Sequence, residues 1–355
     1  MTPRSPGWSG IAVLCLAVGL LGACGSGSAT AAATRAASTT AAPRPSGGCN
    51  GAPVTVGVQQ LRAMVGGHER SWRQYVPQGY DGHTPLPLVL NIHGISSNAD
   101  QQADVTQFEK LAADKRFIVV EPNGVGLVQF WNITETALAA DDVAFAKELV
   151  AKLGASLCVD TARVYSAGLS NGGLMSHLLA CRLPGTFAAV ASVSAAFHPD
   201  GCTKDPAISV LAMHGDQDPI LPRTGGIGNF IVNMLGSQLL LQIDGGLAQQ
   251  RAMIPGIQRA LKPPVEAMSG WVDQLGCGPD PAVTRASAHI TASTWTGCRS
   301  GTEVVFYDMA GAGHIWPRLP GTGGGLASAG KIVGPDNTEV DATAIIWDFF
   351  AAHHR

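Results

Sequence analysis

The sequence predicts an α/β architecture, a mostly parallel central sheet with helices on both faces. Three observations lead there. Short apolar runs alternate with segments of helical periodicity along most of the chain. Several runs are continuously apolar, as strands covered on both faces require. One of them ends in Gly168-Leu169-Ser170-Asn171-Gly172, a G-x-S-x-G turn that leads straight into a helix-like segment.

The elements follow in order. Strands are expected at 87–92, 117–120, 163–167, 187–194, 208–213 and 302–308. Helices are expected near 102–114, 141–154, 171–182, 264–275 and 341–352. Asp141 and Asp142 open the second of these helices, where the helix dipole stabilises negative charge, and are read as structural. Between the fifth strand and the fourth helix lies an apolar insertion, about 225–264. It contains Phe230-Ile231-Val232-Asn233-Met234-Leu235 and Leu239-Leu240-Leu241-Gln242-Ile243. It reads as a lid over a site, as a helical hairpin on the core, or as an oligomer contact.

The G-x-S-x-G turn carries the chemistry. Strand, sharp turn and helix make a nucleophile elbow, and the flanking glycines let the Ser170 hydroxyl project into a site. A serine needs a base, and the base needs an acid. Beyond the 208–213 strand stands His214-Gly215-Asp216-Gln217-Asp218-Pro219. Asp218 is preferred as the acid, because the following proline fixes the backbone. Asp216 reads as a turn residue bonding local N–H groups. After the 302–308 strand, a small glycine-rich loop carries His314. His314 is the expected general base. The oxyanion donors are assigned to the backbone N–H groups of Ile95, in His93-Gly94-Ile95 after the first strand, and of Asn171. Trp316 is expected to line the cleft, a core position being the alternative, and Trp131 to form another wall. His177 reads as a structural residue of the elbow helix. His68, His83, His198, His289, His353 and His354 have weaker claims on the site.

His93-Gly94-Ile95, Gly168-Leu169-Ser170-Asn171-Gly172-Gly173, His214-Gly215-Asp216-Gln217-Asp218 and Gly313-His314-Ile315-Trp316-Pro317 together resemble the polyhydroxybutyrate depolymerase/feruloyl esterase group of α/β-hydrolases, within carbohydrate esterase family 1. Mycobacterial-type esterase lipoproteins also look similar. The resemblance covers roughly 49–355. It implies an α/β-hydrolase fold, a Ser170, His314, Asp218 triad, and hydrolysis of feruloyl or acetyl esters of polysaccharide or of 3-hydroxyalkanoate polyesters. The apolar insertion departs from the group's pattern and sets the polysaccharide substrates in question. Two other functions would use the same fold: a cell-envelope acyltransferase and a catalytically inactive binding protein.

The termini add a location. Arg4 precedes an apolar stretch, Ile11 to Leu21, too short to span a membrane comfortably. Leu21-Gly22-Ala23-Cys24 looks like a bacterial lipobox, so residues 1–23 are expected to be a signal peptide and Cys24 to carry a lipid. Residues 24–48 are mostly Gly, Ser, Ala, Thr and Pro and read as a disordered tether, reaching about 80 Å at ~3.3 Å per residue. The chain is then expected outside the cytoplasm, anchored to a membrane or secreted. With 23 Lys and Arg against 26 Asp and Glu, no nucleic-acid partner is indicated.

Six cysteines follow Cys24: Cys49, Cys158, Cys181, Cys202, Cys277 and Cys298. An even number outside the cytoplasm suggests disulfides, and six allow 15 pairings, so the residues alone leave the pairing open. The resemblance implies Cys277 with Cys298. Cys181 and Cys202 would then flank the unit after the elbow, and Cys49 and Cys158 would make the third pair. No His/Cys cluster has metal spacing, so neither metal nor cofactor is expected.

Overall fold

The computed structural model describes residues 42–126, 128–137, 139–229, 232–233, 245–321 and 333–355, leaving out the side chains of 245–251 and 253. All of them lie in the unit from Thr40 to Arg355. The expected signal peptide, Cys24 and most of the expected tether lie outside the described residues. So do Phe230, Ile231 and the Leu239–Ile243 stretch of the insertion.

The strands are β1 (Gly57–Val65), β2 (His68–Val76), β3 (Leu86–Ile92), β4 (Ile118–Pro122), β5 (Val159–Leu169), β6 (Ala189–Val193), β7 (Ser209–Gly215), β8 (Ala282–Arg285), β9 (Ile290–Trp295) and β10 (Val304–Met309). They form one sheet in the order β1-β2-β4-β3-β5-β6-β7-β10-β9-β8. The stretch from β4 to β10 is parallel, and antiparallel pairs close both flanks. The mostly parallel sheet is thus the predicted one. The sequence reading passed over β1, β2, β8 and β9. Their exposed or alternating positions lack the continuous apolar run that marks a central strand.

Successive residues of β3 show why the sheet is covered twice. Leu88, Leu90 and Ile92 enter one apolar cluster, and Val89 enters the other. The helices are α1 (Ala99–Thr106), α2 (Phe108–Lys115), α3 (Asp142–Ser156), α4 (Asn171–Arg182), α5 (Gly245–Ala260), α6 (Pro264–Leu275) and α7 (Ala342–Ala351). Phe145, Leu149 and Leu153 of α3, Leu174 and Leu178 of α4, and Met268 and Trp271 of α6 fill the first cluster. Phe108 of α2 and Ile346, Trp347 and Phe350 of α7 fill the second. The helix expected over 102–114 is two helices, because Gln107 adopts φ 55° and breaks it.

One expectation about a segment changes. Residues 44–48 belong to the domain and not to the tether. The Arg44 N–H bonds Asp160, Ser46 exchanges bonds with Leu157 and Val159, and the Gly48 N–H meets the Gly154 carbonyl. Small polar residues can supply strand-like backbone pairing as well as a loose linker, and composition does not separate the two. The end of the insertion is packed: Leu261 is buried in the core beside Ile257 and Ala260 of α5. The three disulfides join Cys49 to Cys158, Cys181 to Cys202 and Cys277 to Cys298.

Candidate active site

Ser170 stands between the last residue of β5 and the first of α4, with φ 56° and ψ −125°. A non-glycine residue in that region is strained and is held only by its surroundings. Gly172 explains how. A side chain there would meet the Ile92 carbonyl oxygen at 2.1 Å and that of His93 at 2.5 Å, so only glycine lets α4 start against the end of β3. Gly94 lies on the other side of the serine, its Cβ direction 3.9 Å from the Ser170 hydroxyl oxygen.

The loop after β3 is held by an imidazole. His93 is fully buried, and burial holds its pKa down to about 4. The Gly124 N–H lies 3.0 Å from Nε2, and Nδ1 lies 2.7 Å from the Gly94 carbonyl oxygen. Nε2 therefore accepts and Nδ1–H donates, which fixes the tautomer of a neutral ring. Gripping the Gly94 carbonyl orients the Gly94–Ile95 peptide, whose N–H points the opposite way.

Asn171 contributes a clamp as well as a backbone amide. Its side chain accepts from the Trp131 N–H at 2.7 Å and donates to the Trp131 carbonyl at 3.1 Å. The Trp131 indole N–H donates to the His93 carbonyl at 2.8 Å. Next in chain, the Asn132 N–H bonds Asp142 at 2.9 Å, and Asp142 pairs with Arg70 at 2.8 Å. Both charged side chains are buried, with the guanidinium over the Phe145 ring. The reading of Asp141 and Asp142 as structural agrees with this: Asp141 caps α3 and Asp142 anchors the Trp131 loop.

The acid–base side forms from the loops after β7 and β10. His314 Nδ1 lies 2.7 Å from Asp218 Oδ2. The other oxygen, Oδ1, accepts the N–H groups of Ile220 at 2.8 Å and Leu221 at 2.9 Å. Asp216 accepts instead from the Gly311 N–H at 2.6 Å, tying its loop to the histidine loop. The two loops touch through backbone. A Cβ on Gly215 would lie 2.2 Å from the Ala312 carbonyl oxygen, and the Gln217 N–H bonds that same carbonyl.

The elbow and the histidine loop share one anchor at the end of β6. The Ser170 N–H bonds the Val193 carbonyl at 2.9 Å, and the adjacent Ser194 hydroxyl donates to the Ile315 carbonyl at 2.8 Å. Sequence reasoning missed Ser194 and the Asn171 clamp. The available signal for Ser194 was a polar residue directly after a buried strand.

The two tryptophans expected to wall the cleft are core residues. Trp316 is 2% exposed, donates its indole N–H to Thr343 and packs edge-on to Phe108. Trp131 is equally buried beside His93 and Arg70. Each indole N–H finds an internal partner, so the large ring fills the core at no polar cost. His177 is buried in α4 and bonds Ser192, and burial lowers its pKa to about 3. Among the described residues no group of three His, Cys, Asp or Glu side chains could hold a metal ion.

The profile of the esterase PHB depolymerase family matches residues 70–222. Feruloyl esterase C of Emericella nidulans is 32% identical over 201 residues, which are 54% of this chain and 69% of that protein. Feruloyl esterase B of Piromyces equi is 32% identical over 162 residues, 44% of this chain but 30% of that protein. For the probable feruloyl esterase C of Aspergillus niger the match spans 61% of its length. The chain therefore spans less than two thirds of some curated relatives it matches. Acetyl xylan esterase from Aspergillus awamori shares the fold with a TM-score of 0.50 and 17% identity, over 72% of this chain and 93% of that one. The sheet order, the elbow and these likenesses agree, and the chain belongs to the esterase PHB depolymerase family.

Proposed function

We propose that the protein is a serine hydrolase of carboxylic esters. The observation that carries this reading is the joint anchoring at Val193 and Ser194, which binds the strained serine turn and the histidine loop to one dipeptide. In the proposed reaction the Ser170 oxygen attacks the ester carbonyl carbon. Asp218 holds the Nδ1–H of His314, leaving Nε2 to take the serine proton and pass it to the departing alcohol. The Ile95 and Asn171 N–H groups receive the developing oxyanion. Water then attacks the acyl-enzyme with the same imidazole as base, releasing the acid and restoring Ser170.

The named relatives support feruloyl esters as the first substrates to try, with acetyl esters of polysaccharide and 3-hydroxyalkanoate esters beside them. The test is a panel of methyl ferulate, acetylated xylan, 3-hydroxybutyrate oligomers and p-nitrophenyl esters, with wild type and Ser170→Ala. Hydrolysis that disappears in Ser170→Ala is the expected result. Retained turnover in that variant would remove the serine from the mechanism.

The same proposal includes export and anchoring. The three disulfides support an oxidising compartment. Lipidation of Cys24 would tie the enzyme to a membrane. Detergent-phase partitioning of the full chain that is abolished in Cys24→Ala is the expected outcome; unchanged partitioning would rule the anchor out.

A further inference from the structure

Asp218 lies between two imidazoles. On one side His314 Nδ1 is 2.7 Å from Oδ2. On the other, His214 Nε2 is 3.6 Å from the same oxygen, too far for a hydrogen bond. His214 is the sixth residue of β7 and is fully buried.

The partner of its Nε2 is the Leu221 carbonyl, at 2.8 Å. That carbonyl only accepts, so Nε2 carries the proton and donates. Nδ1 is buried without a hydrogen-bond partner. A second proton there would stand unpaired in the core, so the ring is neutral, and burial also lowers its pKa. The Leu221 N–H in turn bonds Asp218 Oδ1. The turn 218–221 is thus held at its fourth residue, carbonyl by His214 and amide by the acid itself. Two residues on, Arg223 makes a two-pronged ion pair with Asp308 of β10, the residue paired with His214 across the sheet.

We propose that His214 is a positioning residue for the acid: its Nε2–H holds the Leu221 carbonyl so that the 218–221 turn presents Asp218 to His314. The inference rests on the triad reading above and extends it one residue outward. The ionisable groups around this imidazole are Asp218, His314 and Arg223, with Asp308 pairing the arginine. Asp216 is turned to the Gly311 N–H.

The test compares His214→Leu and His214→Gln with wild type, Ser170→Ala and Asp218→Asn on a p-nitrophenyl ester, with thermal unfolding of each. Leucine keeps bulk and removes the donor. Glutamine returns an N–H donor at a similar reach. In His214→Leu, kcat should fall about 10- to 100-fold with KM little changed, because a small displacement of a catalytic group costs that much. The acidic limb of the kcat/KM–pH profile should also move to lower pH, as a misplaced carboxylate stabilises the His314 imidazolium less. His214→Gln should recover most of kcat and return the limb.

A folded His214→Leu enzyme within about 2-fold of wild type would overturn the proposal, as would a fall in kcat with an unmoved limb. If His214→Leu does not fold, His214→Gln decides: a folded variant with lost kcat or a displaced limb overturns it. Turnover persisting in Ser170→Ala is a different result, which removes the underlying reading of the site and this inference with it.

Discussion

The two sides of Ser170 are built by opposite means. On the β3 side, the backbone is held by neutral groups: the His93 imidazole grips the Gly94 carbonyl, the Trp131 indole bonds the His93 carbonyl, and the Asn171 amide clamps Trp131. Behind it, Arg70 and Asp142 cancel within one buried pair. On the β7–β10 side, a fully buried carboxylate is surrounded by backbone N–H donors and two imidazoles. The contrast fits the two tasks proposed for these sides. A site for a developing oxyanion needs fixed dipoles and no mobile proton nearby, whereas the side that moves protons needs an uncompensated charge.

Asp218→Asn should break the charged side most severely. By analogy with other triads, kcat should fall about 10⁴-fold while the fold is kept, and steady-state kinetics with circular dichroism checks both. A loss below tenfold would place the acid elsewhere.

Arg70→Met tests the neutral side. It leaves Asp142 buried without its partner and should cost roughly 3–5 kcal/mol in urea unfolding. The double variant Arg70→Met/Asp142→Leu should recover much of that, since an apolar pair can replace a buried ion pair. Equal losses in both would mean that packing, not charge, holds the Trp131 loop.

Glu121 of β4 gives a pH-dependent probe of the same side. Its carboxyl is fully buried, bonded by Asn91 of β3, and burial raises its pKa to about 8. The folded state then holds this proton more tightly than the unfolded chain. Its contribution to stability is greatest below the unfolded value near 4.5 and declines as pH rises through about 8. Glu121→Gln should therefore flatten the decline, with its largest gain over wild type above pH 8, read as Tm against pH. Parallel curves for the two proteins would remove Glu121 as the cause.

Asn171→Ala is the smallest expected change and the sharpest. It removes the clamp to Trp131 but keeps the backbone N–H assigned to the oxyanion. A fall of about 10-fold in kcat, with a loss of roughly 1 kcal/mol in stability, is expected. A loss as large as that of Asp218→Asn would mean that the side chain itself meets the substrate.

The strands that build the sheet centre were legible because most of their residues are apolar. The contact between Asp218 and His314 was legible because each stands in a turn directly after a buried strand. The structure brings Asp218, not Asp216, against His314, as the fixed backbone before Pro219 suggested. What escaped the sequence is pairing between residues that no motif marks. Arg70 and Asp142 are 72 residues apart, and nothing near either names the other. Trp316 looked like a cleft residue because it neighbours His314. In the fold, two residues past the histidine the chain has already turned down toward Phe108 and Thr343. Residues 44–48 looked like linker because composition records nothing of the backbone bonds they make.

The attachment of those residues has a mechanical side. Arg44 to Cys49 join the domain at the beginning of β5, by backbone bonds to Val159 and Thr161 and by the disulfide to Cys158. Ser170 follows the far end of that 11-residue strand, about 35 Å away at ~3.3 Å per residue. A pull on the chain ahead of Arg44 would load several bonds at once and pass into the sheet through a covalent link. The strain would be borne at the base of the central strand, a full strand length from the turn whose geometry the chemistry depends on.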